Sequence, residues 1–187
     1  MREWYEEVWA QLPADLAPER AGLRKAFLLS QVAAGDRVLD LGCGDGFFTA
    51  ALSAIGTHAV GADIAERALG RARERHPGPE YVRIEPHGRW PFPDAAFDVV
   101  WAGEVLEHVA DTERFVDEVR RVLRPGGKLL VTTPGFGPLR RLRAPDPRGQ
   151  HLRFYTRRTL RGLLADMGFS EVRVRAPRRT LMATAIR

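Results

Sequence analysis

The sequence predicts an α/β fold: a seven-stranded, mostly parallel sheet with helices on both faces and an antiparallel last strand. Three observations carry this. From about residue 18 onward, short apolar runs of strand length alternate with segments of helical period, as in a parallel sheet built of crossover units. A glycine-rich turn, VLDLGCGDGFF at Val38–Phe48, joins the first such run to the helix that follows it. The last two runs are separated only by Pro177 and a few basic residues, which suits a hairpin rather than a crossover.

Each element follows from its own pattern. Arg37–Leu41 reads as the first buried strand, Phe48–Ile55 as the start of the next helix, and His58–Ala62 as the second strand. Ala65, Ala68, Leu69 and Ala72 recur at helical spacing, so Ala65–Arg75 is an amphipathic helix that stops before Pro77-Gly78-Pro79. Glu80–Glu85 and Phe97–Ala102 are the third and fourth strands. Phe115, Val116, Val119, Val122 and Leu123 form one apolar stripe, with Asp111 or Thr112 as cap and Pro125-Gly126-Gly127 as stop. Lys128–Thr132 is the fifth strand, and residues 135–150 form a connecting loop. Thr156 caps a helix whose apolar face is Leu160, Leu163, Leu164 and Met167, with Gly168 as its stop. Glu171–Arg175 and Leu181–Ile186 are the last strands. One domain over residues 1–187 is expected, with an α/β core at 37–187 and a helical segment at 1–36. In that segment Trp4, Tyr5, Val8 and Trp9 make an aromatic cluster that either covers a sheet face or closes over a ligand, and Ala21–Val32 is a covering helix.

Composition excludes several classes. Apolar residues at 44% and charged residues at 28% are the balance of a globular chain rather than a disordered one. No stretch approaches the ~18 apolar residues of a membrane span. The acidic start, MREWYEEVWAQLP, has no apolar signal-peptide core. The single cysteine, Cys43, forms neither an internal disulfide nor a cysteine-based zinc site, and a reducing cytoplasm is expected. Charge is segregated along the chain. Residues 140–187 hold 13 arginines against three acids, whereas residues 1–139 hold 16 basic and 21 acidic residues. An anionic substrate, nucleic acid or an acidic partner remains open on that ground. Arg140, Arg141 and Arg143, or Arg153, Arg157 and Arg158, are candidates to hold such a group.

The glycine loop selects among nucleotide-type ligands. Gly42, Gly44 and Gly46 alternate after a strand, where missing Cβ atoms let a backbone approach a ligand. A dinucleotide loop would need glycine at 47, which is Phe47, and no Gly-Lys-Ser/Thr follows for a phosphate loop. Asp40-x-Gly42-x-Gly44-x-Gly46 resembles the D-x-G-x-G-x-G motif of class I S-adenosylmethionine-dependent methyltransferases. Asp63 at the end of the second strand, Trp90-Pro91-Phe92 before Phe97-Asp98-Val99-Val100, Arg121–Gly127 and Gly168-Phe169 extend the resemblance over roughly residues 35–187. It implies a Rossmann-like fold and a site for S-adenosylmethionine, with S-adenosylhomocysteine as product. The cofactor residues implied are Asp40, Gly42, Cys43, Gly44, Gly46, Asp63 on the ribose, Ile64 against adenine, and Ala102 and Gly103 beside the sulfonium. The family's adenine-binding acid falls at Pro86 here, leaving the neighbouring Glu85 as its substitute or as a solvated strand end.

After the fourth strand comes Gly103–Val109, GEVLEHV, and later His151. This set resembles the E-x-x-E-H segment of quinone-biosynthesis O-methyltransferases and small-RNA 2′-O-methyltransferases. The resemblance implies either a divalent-metal site of Glu104, Glu107, His108 and His151, or a metal-free pocket with His108 or His151 as general base and Glu104 facing cofactor or substrate. The acceptor expected is a small molecule, with an anionic one left open by the charge distribution, methylated at oxygen or nitrogen. An RNA 2′-O-methyltransferase and a non-catalytic cofactor- or partner-binding domain are the alternatives.

Overall fold

The computed structural model describes residues 2–13, 17–135 and 151–187. Helices α1 (Arg2–Gln11) and α2 (Ala21–Leu29) precede β1 (Arg37–Leu41), α3 (Phe47–Ser53), β2 (His58–Asp63), α4 (Glu66–Arg75) and β3 (Glu80–Arg83). Then come β4 (Phe97–Gly103), a single 3₁₀ turn at Leu106–His108, α5 (Thr112–Val122), β5 (Leu123–Pro134), α6 (Arg157–Asp166), β6 (Ser170–Arg175) and β7 (Thr180–Ile186). The strands form one sheet in the order β3-β2-β1-β4-β5-β7-β6. Strands β1 to β5 pair in parallel, and β7 runs antiparallel to both β5 and β6. Among the described residues no helix is long and apolar enough to cross a membrane.

Strand alternation sorts the core into two faces. Leu39 and Leu41, Val100 and Ala102, and Leu129 and Val131 point to the face covered by α5 and α6. Val38, Val99, Trp101 and Leu130 point to the other, where α2 and α3 bring Leu28, Phe48 and Leu52. Chain order runs outward from β1 in one direction and from β4 in the other. A cleft therefore opens between their carboxyl ends, at Gly42 and Gly103.

Several boundaries differ from the sequence reading. Leu123 opens β5 opposite Phe97 instead of closing the helix stripe, because a register shift before Val99 lets the Pro125-Gly126-Gly127 turn lie within the ladder. Helix α2 stops at Leu29, not Val32. Strand β3 ends at Arg83, and Ile84, Pro86 and His87 beyond it line the cleft. Asp111, not Thr112, caps α5, accepting from the Arg114 N–H at 3.0 Å. Thr156 caps α6 in a reciprocal pair with Thr159. Arg140, Arg141, Arg143 and most of the 135–150 loop lie outside the described residues.

Candidate functional site

A cavity of about 230 Å³ lies at the carboxyl ends of the strands. Gly42, Gly44, Asp63, Ile64, Glu104 and His108 line it, all of them expected from the sequence. Gly44 has φ +56°, and a Cβ there would meet the Trp9 ring at 2.8 Å. Asp63 is buried with one carboxylate oxygen accepting from the Gly44 N–H at 3.0 Å and the other from the Ala65 N–H at 2.9 Å. The acid thus fixes the glycine loop and the entrance to α4 together.

Helix α1 forms the roof. Tyr5 and Trp9 line the cavity, and the Tyr5 ring stands edge-on to His108 at 6.2 Å. Glu6 holds the helix down by accepting from the Glu66 and Arg67 N–H groups at 2.7 and 3.0 Å, which caps α4 where Ala65 offers no side chain. Of the aromatic cluster, Tyr5 and Trp9 face the cavity. Ile84, Pro86, His87, Trp90, Val105 and Phe115 complete an apolar wall.

Other expected cofactor residues stand behind the wall. Asp40 is 1% exposed and accepts from the Thr49 hydroxyl at 2.6 Å; burial raises its pKa from 3.8 to about 7. Cys43 packs with Leu69, Ala72 and Tyr81, and burial pushes its thiol upward. Gly46 serves packing, since a Cβ there would meet the Tyr81 hydroxyl at 2.6 Å. Ala102 belongs to the core. Glu85 is the clearest departure: its half-exposed carboxylate lies 3.5 Å from both Arg2 and Arg83, outside the cavity lining.

The sequence reading missed Arg24. It is the one lysine or arginine among the described residues that is buried, at 5% exposure. Its guanidinium stacks over Phe48 at 4.7 Å, donates through Nε to the Thr132 hydroxyl at 3.1 Å, and lies 4.0 Å from the Glu104 carboxylate. A Cβ on Gly103 would come within 2.6 Å of it, so that glycine is the passage for the guanidinium. Arg24 shares an i, i+4 face with buried Leu28, and a lone charge on that face was the available signal.

Glu104 takes a left-handed backbone, φ +60°, in a region that costs an ordinary residue about 1–3 kcal/mol. Burial raises its pKa and Arg24 opposes the rise. Glu107 is 1% exposed with neither carboxylate oxygen hydrogen-bonded; burial, with the Glu104 charge added, raises its pKa from 4.5 to about 8. The Glu107 carbonyl accepts from the Leu152 and Arg153 N–H groups, which folds the His151 segment back over this turn. Ligand atoms of Glu107, His108 and His151 lie within 4.8 Å of one another. Glu104 does not join that group, so the implied set of four is reduced to three.

A family model described as a methyltransferase domain matches residues 1–174. The chain belongs to that family. It is 35% identical over 135 residues to a probable S-adenosylmethionine-dependent methyltransferase of Mycobacterium tuberculosis, an overlap covering 72% of this chain and 49% of the relative. It is 38% identical over 105 residues to a ubiquinone biosynthesis O-methyltransferase of Aromatoleum aromaticum, covering 54% and 44%. The chain thus spans about half the length, or less, of the curated relatives it matches. A solved protein of Pyrococcus horikoshii shares the fold at TM-score 0.77 and 22% identity, over 100% of this chain and 99% of that one.

Proposed function

We propose that the chain is an S-adenosylmethionine-dependent methyltransferase acting on an oxygen or nitrogen of a small-molecule acceptor. The observation that carries the reading is the cavity lined by Gly42 and Gly44 with Asp63 buried under the loop, beside which the buried Arg24 lies 4.0 Å from the lining residue Glu104. Each Asp63 oxygen spends one lone pair on a backbone N–H and keeps another for a ribose hydroxyl. Ile64, Ile84, Trp90 and Phe115 offer an apolar slot for adenine. Arg24 supplies the cation that the methionine carboxylate needs, and Asp40 accepts the ammonium directly or through water. Asp63 and Glu104, two carboxylates on the cavity wall, make the pocket favourable to a sulfonium.

The cofactor, when bound, supplies an electrophilic methyl group. The protein's part is alignment and proton removal. His108 faces the cavity under Tyr5 and is the candidate general base, with His151 beside it at a ring separation of 5.0 Å. The small-molecule class draws support from relatives named as a ubiquinone biosynthesis O-methyltransferase and a demethylmenaquinone methyltransferase.

A second reading is favoured by the orphaned Glu107 carboxylate. Glu107, His108 and His151 would hold a divalent ion through one oxygen and two nitrogens, a donor set that suits Mn²⁺ or Zn²⁺. Such an ion would lower the pKa of an acceptor hydroxyl. Incubation with methyl-labelled S-adenosylmethionine and fractionated lysate, with and without EDTA, separates the readings. Label in small molecules regardless of EDTA supports the metal-free site. EDTA-sensitive label supports the ion, and RNase-sensitive label would move the acceptor to RNA. Tight cofactor binding with no label in any fraction contradicts turnover.

A further inference from the structure

Two pairs of exposed arginines, Arg157-Arg158 and Arg178-Arg179, flank the carboxyl end of β5. Gly135, the residue after β5, ties both pairs to one place. It forms a bridge with Tyr155, and its N–H donates to the Arg179 carbonyl at 2.7 Å. Helix α2 joins at the same point, where Arg20 donates to the Arg178 carbonyl and to the Thr180 hydroxyl. Arg178 and Arg179 hold left-handed backbones, φ +48° and +67°, a conformation unfavourable for side chains of this size. Their carbonyls are used inward, so the turn is fixed and its two guanidinium groups are displayed outward.

These four arginines make no ion pair among the described residues, whereas Arg73, Arg75, Arg89, Arg121 and Arg124 are each paired with a carboxylate. The charge excess of the last quarter of the chain is thus unneutralised here. The segment from His151 to Tyr155, which runs from Glu107 to Gly135, ties this place to the turn that carries His108, a residue of the cavity wall. On the cavity wall stand the carboxylates of Asp63 and Glu104, and the buried cation Arg24 already lies 4.0 Å from Glu104. Exposed guanidinium groups for a negative group on the acceptor stand outside, at Arg157-Arg158 and Arg178-Arg179.

We propose that this arginine rim recognises a carboxylate or phosphate on the acceptor, so that the substrate class is a small anionic molecule. The proposal rests on the methyl-transfer reading above. Guanidinium forks bind such groups through paired, charge-assisted hydrogen bonds.

The test uses phenyl phosphate and phenol as probes, titrated calorimetrically into protein saturated with S-adenosylhomocysteine. Arg178→Asn/Arg179→Asn is the variant, since asparagine tolerates the left-handed backbone. Phenyl phosphate is expected to bind and phenol not to; the double variant weakens phenyl phosphate about tenfold and leaves the S-adenosylhomocysteine affinity unchanged. Equal binding of phenyl phosphate by both proteins, or none by the wild type, overturns the proposal. A short RNA binding far more tightly, with a steep salt dependence, overturns the small-molecule class. No binding of S-adenosylhomocysteine by the wild type overturns the underlying reading instead.

Discussion

The two ends of the cleft are built by different means. At the cofactor end, the loop from Asp40 to Gly46 and the Asp63-Ile64 corner belong to one strand-helix-strand unit. Its chemistry is mostly backbone, set by glycines with positive φ and by Asp63 holding two N–H groups. At the other end, Arg24 of α2, the Glu104–His108 segment after β4 and His151 before α6 are three separate pieces of chain that serve the methionine part of the cofactor and the acceptor and meet only through tertiary folding. The first end is a local motif, and the second is a convergence of charges that no stretch of chain contains.

Substitutions should expose that difference, the largest effect coming from the backbone. Gly44→Leu places a side chain where φ is +56° and where Trp9 already stands within 2.8 Å. Binding of S-adenosylhomocysteine should fall by at least about a hundredfold in calorimetry, the scale of a blocked pocket plus backbone strain. Arg24→Leu should cost about ten- to a hundredfold in S-adenosylhomocysteine affinity and leave methylthioadenosine, which has no amino-acid carboxylate, nearly unaffected. Equal losses for both ligands would make Arg24 a structural residue only.

Protonation gives a smaller, graded effect. Burial holds Asp40 near pH 7 against an ordinary 3.8, with Arg24 and the Thr49 hydroxyl opposing the rise and Asp63 adding to it. The folded, cofactor-free protein therefore keeps a proton that the unfolded chain has released. This group's contribution makes stability fall as pH rises from about 4 to about 7, and level off above. A cationic cofactor competes with that proton, so S-adenosylmethionine should bind more tightly at about pH 8 than at about pH 6. Asp40→Asn should flatten the dependence. The smallest effect belongs to Glu85→Ala, expected to change cofactor affinity by less than about twofold, because an exposed ion pair is worth little.

Legibility in the sequence follows the same division. The seven strands and the hairpin at β6–β7 were readable because alternating apolar runs and Pro/Gly stops are local signals. So were Gly42, Gly44, Asp63 and Ile64, which lie at strand ends. Between the two readings of Glu85, its exposed position fits the solvated strand end, because β3 ends at Arg83 and Pro86 and His87 line the cleft beyond it. Arg24 was hidden because a single arginine on a helix is usually solvated. Only the passage left by Gly103 and the aromatic bed of Phe48 and Trp101 make it a buried cation. The place of Tyr5 and Trp9 over the cavity was not legible, because it depends on Glu6, which clasps α1 to the start of α4.

The central claim is that the cavity lined by Gly44 and Asp63, with the buried Arg24 next to its wall at Glu104, binds S-adenosylmethionine. Calorimetric titration of the wild-type protein with S-adenosylhomocysteine tests it most directly. The account predicts saturable one-to-one binding in the micromolar range, weakened both by Asp63→Asn and by Arg24→Leu. An absence of saturable heat with folded protein, or binding that neither substitution alters, would contradict it.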